Sequence, residues 1–160
     1  MKYFIYILVL FSFSLTSCIT SKQSAQRKSE KEAKELIKYA KQYTNAPYSY
    51  GGASPKGFDC SGYVQFVYKK FGYTLPRTSQ NQAKVGIKVD KKKLKTGDLV
   101  FFKGKNNKSK KVGHVGIVVD ASNGKFDFIH ASSSGVKIDN SELKYYKSRY
   151  VNARRIIMYQ

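Results

Sequence analysis

The chain has 160 residues, of which 41% are hydrophobic and 25% charged. That is room for one ordinary domain, and such fractions exclude both a wholly disordered chain and a multi-span membrane protein. Thirty Lys and Arg face ten Asp and Glu, a formal charge of +20 that favours anionic partners, while two cysteines are too few for a disulfide framework.

Lys2 is the only charge before Lys22, and residues 3–15 are mostly apolar. A spanning helix needs about 20 apolar residues, so this run fits the apolar region of a signal peptide instead. It ends in Leu15-Thr16-Ser17-Cys18, which looks like a bacterial lipobox, where the Cys is lipidated and becomes the new N-terminus. The expected organisation is a lipoprotein signal peptide over residues 1–17, a lipidated Cys18 with a polar linker to residue 29, and one domain over residues 30–160. Lipid on Cys18 implies a membrane partner, and the expected location is the cell envelope, at the outer membrane facing the periplasm. Export removes nucleic acid as the partner of the positive charge. The competing reading is a secretory signal with an incidental Cys.

Ser29-x-x-Glu32 reads as a capping box, and Ala33, Leu36, Ile37, Ala40 and Tyr43 follow at helical spacing, so a first helix is expected over 30–43. Residues 45–55 are broken by Pro and Gly into loop. Val64, Val67 and Phe71 form one stripe of a second helix from Cys60, stopped by Gly72. Ser79-x-x-Gln82 opens a short third helix closed by Gly86. Beyond Gly97 the pattern turns to short β-branched and aromatic runs at 98–103, 114–119, 126–131, 136–138 and 154–158. Helices first and strands after predict an α+β fold, helices packed on a mostly antiparallel sheet or half-barrel. Residues 84–111 hold eleven Lys and two acidic residues, a solvated basic surface or an attraction to an anionic envelope.

Three residues carry candidate chemistry. Cys60 follows Gly57-Phe58-Asp59 and falls in the first turn of its helix, where free N–H groups and the macrodipole favour a thiolate. His114 and His130, the only histidines, lie on neighbouring predicted strands. A three-residue turn at Ser122-Asn123-Gly124 pairs Ala121 with Lys125, which sets Gly116 opposite His130 and His114 diagonal to it. An odd-length turn keeps both rings on one face, and a two-residue turn separates them. Gly116, with no side chain, leaves His130 room to reach His114. A His held by a second polar group and aimed at a helix-start Cys is an activated-nucleophile arrangement. The short paired spacings of a zinc site are missing, so neither a metal nor a cofactor is expected.

The blocks Pro47-Tyr48-x-x-Gly51-Gly52, Phe58-Asp59-Cys60-Ser61-Gly62, Leu75-Pro76-Arg77-Thr78-Ser79, Gly97-Asp98-Leu99-Val100-Phe101-Phe102, His114-Val115-Gly116-Ile117 and Phe128-Ile129-His130-Ala131 resemble, in order, those of the NlpC family of cell-wall cysteine peptidases. The lipobox before a single domain makes the resemblance closest to short lipoprotein members, the Spr-type endopeptidases. The resemblance implies a papain-like fold, with Cys60 as nucleophile, His114 as general base and acid, and His130 as the orienting third residue. It implies that Tyr48, Asp59 and Ser61 line the substrate side of the cleft. The substrate implied is a peptidoglycan stem peptide, cut at a D-γ-glutamyl–diaminopimelate or D-alanyl–diaminopimelate amide. Tyr50 stands where Trp is common in the family, and the Lys-rich insert 103–111 bears on substrate access. Two further readings use the same residues: a catalytically silent wall-binding lipoprotein, and a papain-like amidase or acyltransferase.

Overall fold

The computed structural model describes residues 23–157 apart from 105, 107 and 108. The expected signal peptide, the lipidation site Cys18 and the start of the linker lie outside the described residues, as do three positions of the Lys-rich insert and the chain end from Met158.

Residues 23–41 are helical (α1), so the helix is already running well before the expected cap. Gln, Ala, Arg and Lys over 23–28 are good helix formers. Gln26 Nε2 also donates to Glu30 Oε1 across one turn at 2.9 Å. Ser29 is no cap: it is buried, and its hydroxyl bonds back to the Gln26 carbonyl at 3.0 Å. Ala33, Leu36, Ile37 and Ala40 form the buried face, as their spacing predicts.

The loop after α1 contains a small hairpin, β1 (Ala53–Ser54) and β2 (Gly57–Phe58), which delivers the chain to α2 (Cys60–Lys70). The short helix α3 (Ser79–Gln82) is capped by Thr78, not Ser79, and ends at Gln82, before Gly86. A six-stranded antiparallel sheet follows in the order β3-β8-β4-β5-β6-β7, from β3 (Ile87–Val89), β4 (Leu99–Lys103), β5 (Val112–Ser122), β6 (Lys125–Ser132), β7 (Gly135–Asn140) and β8 (Tyr150–Arg155). The fold is α+β. The last strand lies four residues earlier than its apolar signal, because Ile156 and Ile157 bury themselves in the core beyond the sheet. A short helix α4 (Lys144–Lys147), without a sequence signal, sits between β7 and β8.

Alternation along the strands feeds two cores. Leu99, Phe101, Val115, Ile117 and Ile129 pack with α1 and α2 on one face of the sheet. Val100, Phe102, Val118, Phe126 and Phe128 pack with Tyr146 on the other. This two-sided burial explains why β4 is an unbroken apolar run.

The β5–β6 turn has two residues, not three. Ser122 pairs with Lys125, and both Asn123 (φ 49°) and Gly124 (φ 80°) are left-handed, as a tight hairpin requires. By parity such a turn would put His114 and His130 on opposite faces. A β-bulge corrects it: Val118 pairs with Phe128 and Asp120 with Asp127, leaving Val119 as an extra residue on β5. From Ile117↔Ile129 inward, Gly116 then lies opposite His130, the expected register reached by another route.

Candidate active site

The start of α2 is built around Asp59. Its backbone is extended (ψ 172°), and its Oδ1 accepts from the Gly62 N–H at 2.7 Å, capping the helix. Its Oδ2 accepts from the Gly51 N–H at 3.1 Å, tying the preceding loop to the helix. Arg77 clamps both carboxylate oxygens, with Nη1 on Oδ1 at 2.9 Å and Nη2 on Oδ2 at 2.5 Å. Burial raises the Asp59 carboxyl, but hydrogen bonds from Arg77, Gly62 and Ser61 outweigh it and hold the group below the usual carboxylate range. Gln82 of α3 donates to the carbonyls of Ser61 (3.0 Å) and Pro76 (2.8 Å), fixing the first turn from behind.

Cys60 is the first residue of that helix and its thiol is free. Burial pushes the thiol above its ordinary value, and the nearby Asp59 carboxylate adds to the rise. Hydrogen bonds from the N–H groups of Val115, Ser61 and Cys60 itself oppose it without winning. The helix start therefore does not deliver a resting thiolate, contrary to the expectation from position alone. The thiol needs a base.

A candidate base, His114, stands in the same cleft, of about 450 Å³, lined by Tyr48, Cys60, His114 and His130. Helix α2 packs against β5, and Cys60 at its start shares the cleft with His114 of that strand. His114 Nε2 lies 2.8 Å from His130 Nδ1, with the rings edge to face. The two histidines occupy the sheet face of Phe102 and Phe128, with α4 against them through Tyr146. Burial, and then repulsion from a second proton on the neighbouring His130 ring, hold His114 well below the ordinary imidazole value, so it is a free base at neutral pH. Gly116 is the space that permits the pair: a Cβ there would sit 3.2 Å from His130 Cβ and 2.6 Å from Phe128 Cδ2.

The sequence reading missed what lies beyond His130. Its Nε2 is 2.9 Å from Asp139 Oδ2, and His130 is completely buried. Tyr146 Oη donates to the same oxygen at 2.9 Å, and Lys137 Nζ is 3.1 Å from it. A signal existed. Ser132 pairs with Gly135 across a two-residue turn, so His130 pairs with Lys137, and Asp139 falls on the same face one step along.

Tyr48 is paired to Phe58 by an isolated bridge, and its phenol is raised, by burial first and then by Cys60 and Asp59. Asp59 and Ser61 do not line this cleft. The Ser61 hydroxyl donates to Asp59 Oδ1 at 3.2 Å and accepts from Arg77 at 3.1 Å, so both stand in a layer behind Cys60. The cleft lining also includes Lys103, Lys137 and Ser132 to Ser134. Among the described residues no group of three His, Cys, Asp or Glu side chains is placed to hold a metal ion.

A nucleophile, a neutral imidazole and a second imidazole holding the first are the parts of acyl transfer through a thiol. Comparison with known proteins agrees. Residues 45–155 match the model of the NlpC/P60 family. The chain is 36% identical over 155 residues to the murein DD-endopeptidase/murein LD-carboxypeptidase MepS of Escherichia coli, covering 89% of this chain and 78% of that protein. It is 39% identical over 122 residues to the bifunctional muramidase/DL-endopeptidase CwlT of Bacillus subtilis, covering 76% of this chain but only 36% of that protein. The crystal structure of an NlpC/P60 family protein from Bacillus cereus superimposes with a TM-score of 0.71 at 35% identity, over 79% of this chain and 40% of the other.

Proposed function

Because the chain belongs to the NlpC/P60 family of cysteine peptidases, we propose that it is an envelope-anchored endopeptidase that hydrolyses a stem-peptide amide of peptidoglycan through Cys60. The observation that carries this is the 2.8 Å contact of His114 with His130 in the cleft that also holds the Cys60 thiol.

His114 Nε2 is committed to His130, so Nδ1 is the nitrogen left for Cys60. It takes the thiol proton as sulfur attacks the amide carbon. The oxyanion that forms is met by the Cys60 N–H at the start of α2. His114 then returns the proton to the departing amine, leaving a thioester on Cys60. Water, deprotonated by the same nitrogen, releases the acyl group and restores the thiol. Tyr48, with Asp59 and Ser61 in support, flanks the nucleophile on the substrate side.

Of the two candidate bonds, the D-alanyl–diaminopimelate cross-link has the stronger support. The relative named as a DD-endopeptidase matches over 89% of this chain. The one named as a DL-endopeptidase is mostly made of sequence outside the match. Digestion of purified peptidoglycan beside a Cys60→Ala control, with mass spectrometry of the muropeptides, tests both levels. Loss of cross-linked dimers with intact monomers is the expected result. Stems shortened to D-glutamate would mean the γ-glutamyl bond instead. No muropeptide released by either wild type or Cys60→Ala would replace catalysis by wall binding. The anchor on Cys18, and with it the outer-membrane location, predicts palmitate incorporation that is lost in Cys18→Ser.

A further inference from the structure

We propose that Asp139 is a positioning residue that fixes the proton order of both histidines, and so decides whether His114 can act as a base at all. This rests on reading Cys60 as the nucleophile and His114 as its base. One row of contacts fixes where each proton sits. His130 is completely buried: Nδ1 faces His114 Nε2 at 2.8 Å, and Nε2 faces Asp139 Oδ2 at 2.9 Å, with Tyr146 Oη farther off at 3.4 Å and its own proton given to Asp139 Oδ2 at 2.9 Å. An ionised carboxylate only accepts, so the proton of neutral His130 must sit on Nε2. Its Nδ1 is then a lone pair. The contact with His114 needs one proton, and only His114 Nε2 remains to supply it. His114 therefore carries its proton on Nε2 and turns a bare Nδ1 towards Cys60. With the opposite order His114 would present an N–H to the thiol and could not take its proton.

The surroundings keep Asp139 an acceptor and His130 neutral. The charged and titratable groups that face Asp139 are His130 from β6, Lys137 from its own strand and Tyr146 from α4. Tyr146 Oη donates to Oδ2 at 2.9 Å, and Lys137 Nζ stands 3.1 Å away. Burial raises the Asp139 carboxyl, and hydrogen bonds from His130, Tyr146 and Lys137 overcome it, so the group stays ionised. Burial lowers the His130 imidazole by more than Asp139 raises it, so a doubly protonated ring, which would reverse the row, is disfavoured. Asp139 is not itself among the residues that line the cleft, though it holds three that are: His130, Lys137 and Tyr146. It acts at two hydrogen bonds' remove.

The chain has only two histidines, so the test is direct. Nitrogen-15 spectra of the untagged protein report the tautomer of each ring. Both rings are expected as Nε2–H near neutral pH, in wild type and equally in Cys60→Ala, where proton order is read without turnover. An Nδ1–H tautomer at either ring in wild type overturns the proposal, whether or not any variant folds. In Asp139→Asn the amide can donate to His130, and part of the population is expected to switch to Nδ1–H at both rings. Removal of the tautomer-setting carboxylate in a serine triad lowers kcat about 10⁴-fold, and with one more ring in the row a fall of about 10²–10³-fold is expected, KM changing little. Asp139→Glu should recover part of the rate, which repair of mere packing would not do. Unchanged tautomers with an unchanged kcat in Asp139→Asn refute the proposal. If Cys60→Ala digests peptidoglycan as fast as wild type, the nucleophile assignment fails instead, and the spectra still decide the proton order.

Discussion

Gly116→Ala tests how the two histidines come to meet. The added Cβ would lie 2.6 Å from Phe128 Cδ2, 3.1 Å from the Ile129 carbonyl oxygen and 3.2 Å from His130 Cβ. Carbon atoms rest at about 3.5–4.0 Å, so the overlap with the Phe128 ring is about 1 Å. Phe128 cannot move freely. It is completely buried, with the rings of Phe102, His130 and Tyr146 at 4.9, 4.9 and 4.8 Å. Overpacking of such a site costs about 2–3 kcal/mol. Removing a strand glycine returns about 0.5–1 kcal/mol of backbone entropy. The net loss is about 1–2.5 kcal/mol, a fall in Tm of about 2–10 °C for a chain of this size. The neighbour that gives way carries His130 with it, and a displacement of about 1 Å costs about 100-fold in rate. Thermal denaturation and muropeptide release, the latter well below the variant's Tm, measure the two effects separately. A Tm shifted by less than about 1 °C together with a wild-type rate would refute the claim that this position makes room for the pair.

Three further outcomes follow from the electrostatics. In Cys18→Ser, where Cys60 is the sole cysteine, alkylation by iodoacetamide should be slow near neutrality and climb through and beyond about pH 8.5–9, because burial holds the thiol up; a rate already level in mild acid would mean a preformed thiolate. Asp59 and Asp139 have folded-state values below their unfolded ones, so each contributes stability that is complete above about pH 4 and is lost as the pH falls through the folded value. Acid titration of Tm should show that limb, and Asp59→Asn should flatten it; an unaltered limb would remove Asp59 from the account. Asp98 is buried and takes Arg155 Nε and Nη2 at 2.7 Å each, so Asp98→Ala should destabilise by about 3–5 kcal/mol in denaturant titrations, far more than an exposed pair.

Much of the site is legible in the sequence because it depends on short-range chemistry. Gly57-Phe58-Asp59 announces the start of α2, and the Asp59 side chain caps it. The alternating apolar runs announce β4 to β7, and the register that joins His114 to His130 is the expected one. The route to that register is not legible. Asn123-Gly124 closes a two-residue turn, and the Val119 bulge restores the parity. Hydrophobic alternation carries no mark of one extra residue in the solvent-facing half of a strand. Ser29 and Ser79 show the limit of cap motifs: each is a buried helical residue, and the ends are set by propensity before Ser29 and by Thr78 before Ser79. The thiol's resting state is also a tertiary property, since burial by β5 outweighs the helix start. Asp139 was within reach of the same parity count that paired the histidines, carried one hairpin further.

The proposed mechanism requires Cys60 to form the covalent intermediate. Rapid mixing of the protein with a cross-linked muropeptide, acid quench and mass spectrometry of the proteolysed product tests it most directly. A thioester-linked acyl fragment on the peptide that contains Cys60, present during turnover, gone once substrate is consumed and missing from Cys60→Ala, is the predicted result. Sustained muropeptide cleavage by Cys60→Ala, with no adduct on the wild-type protein, would contradict it.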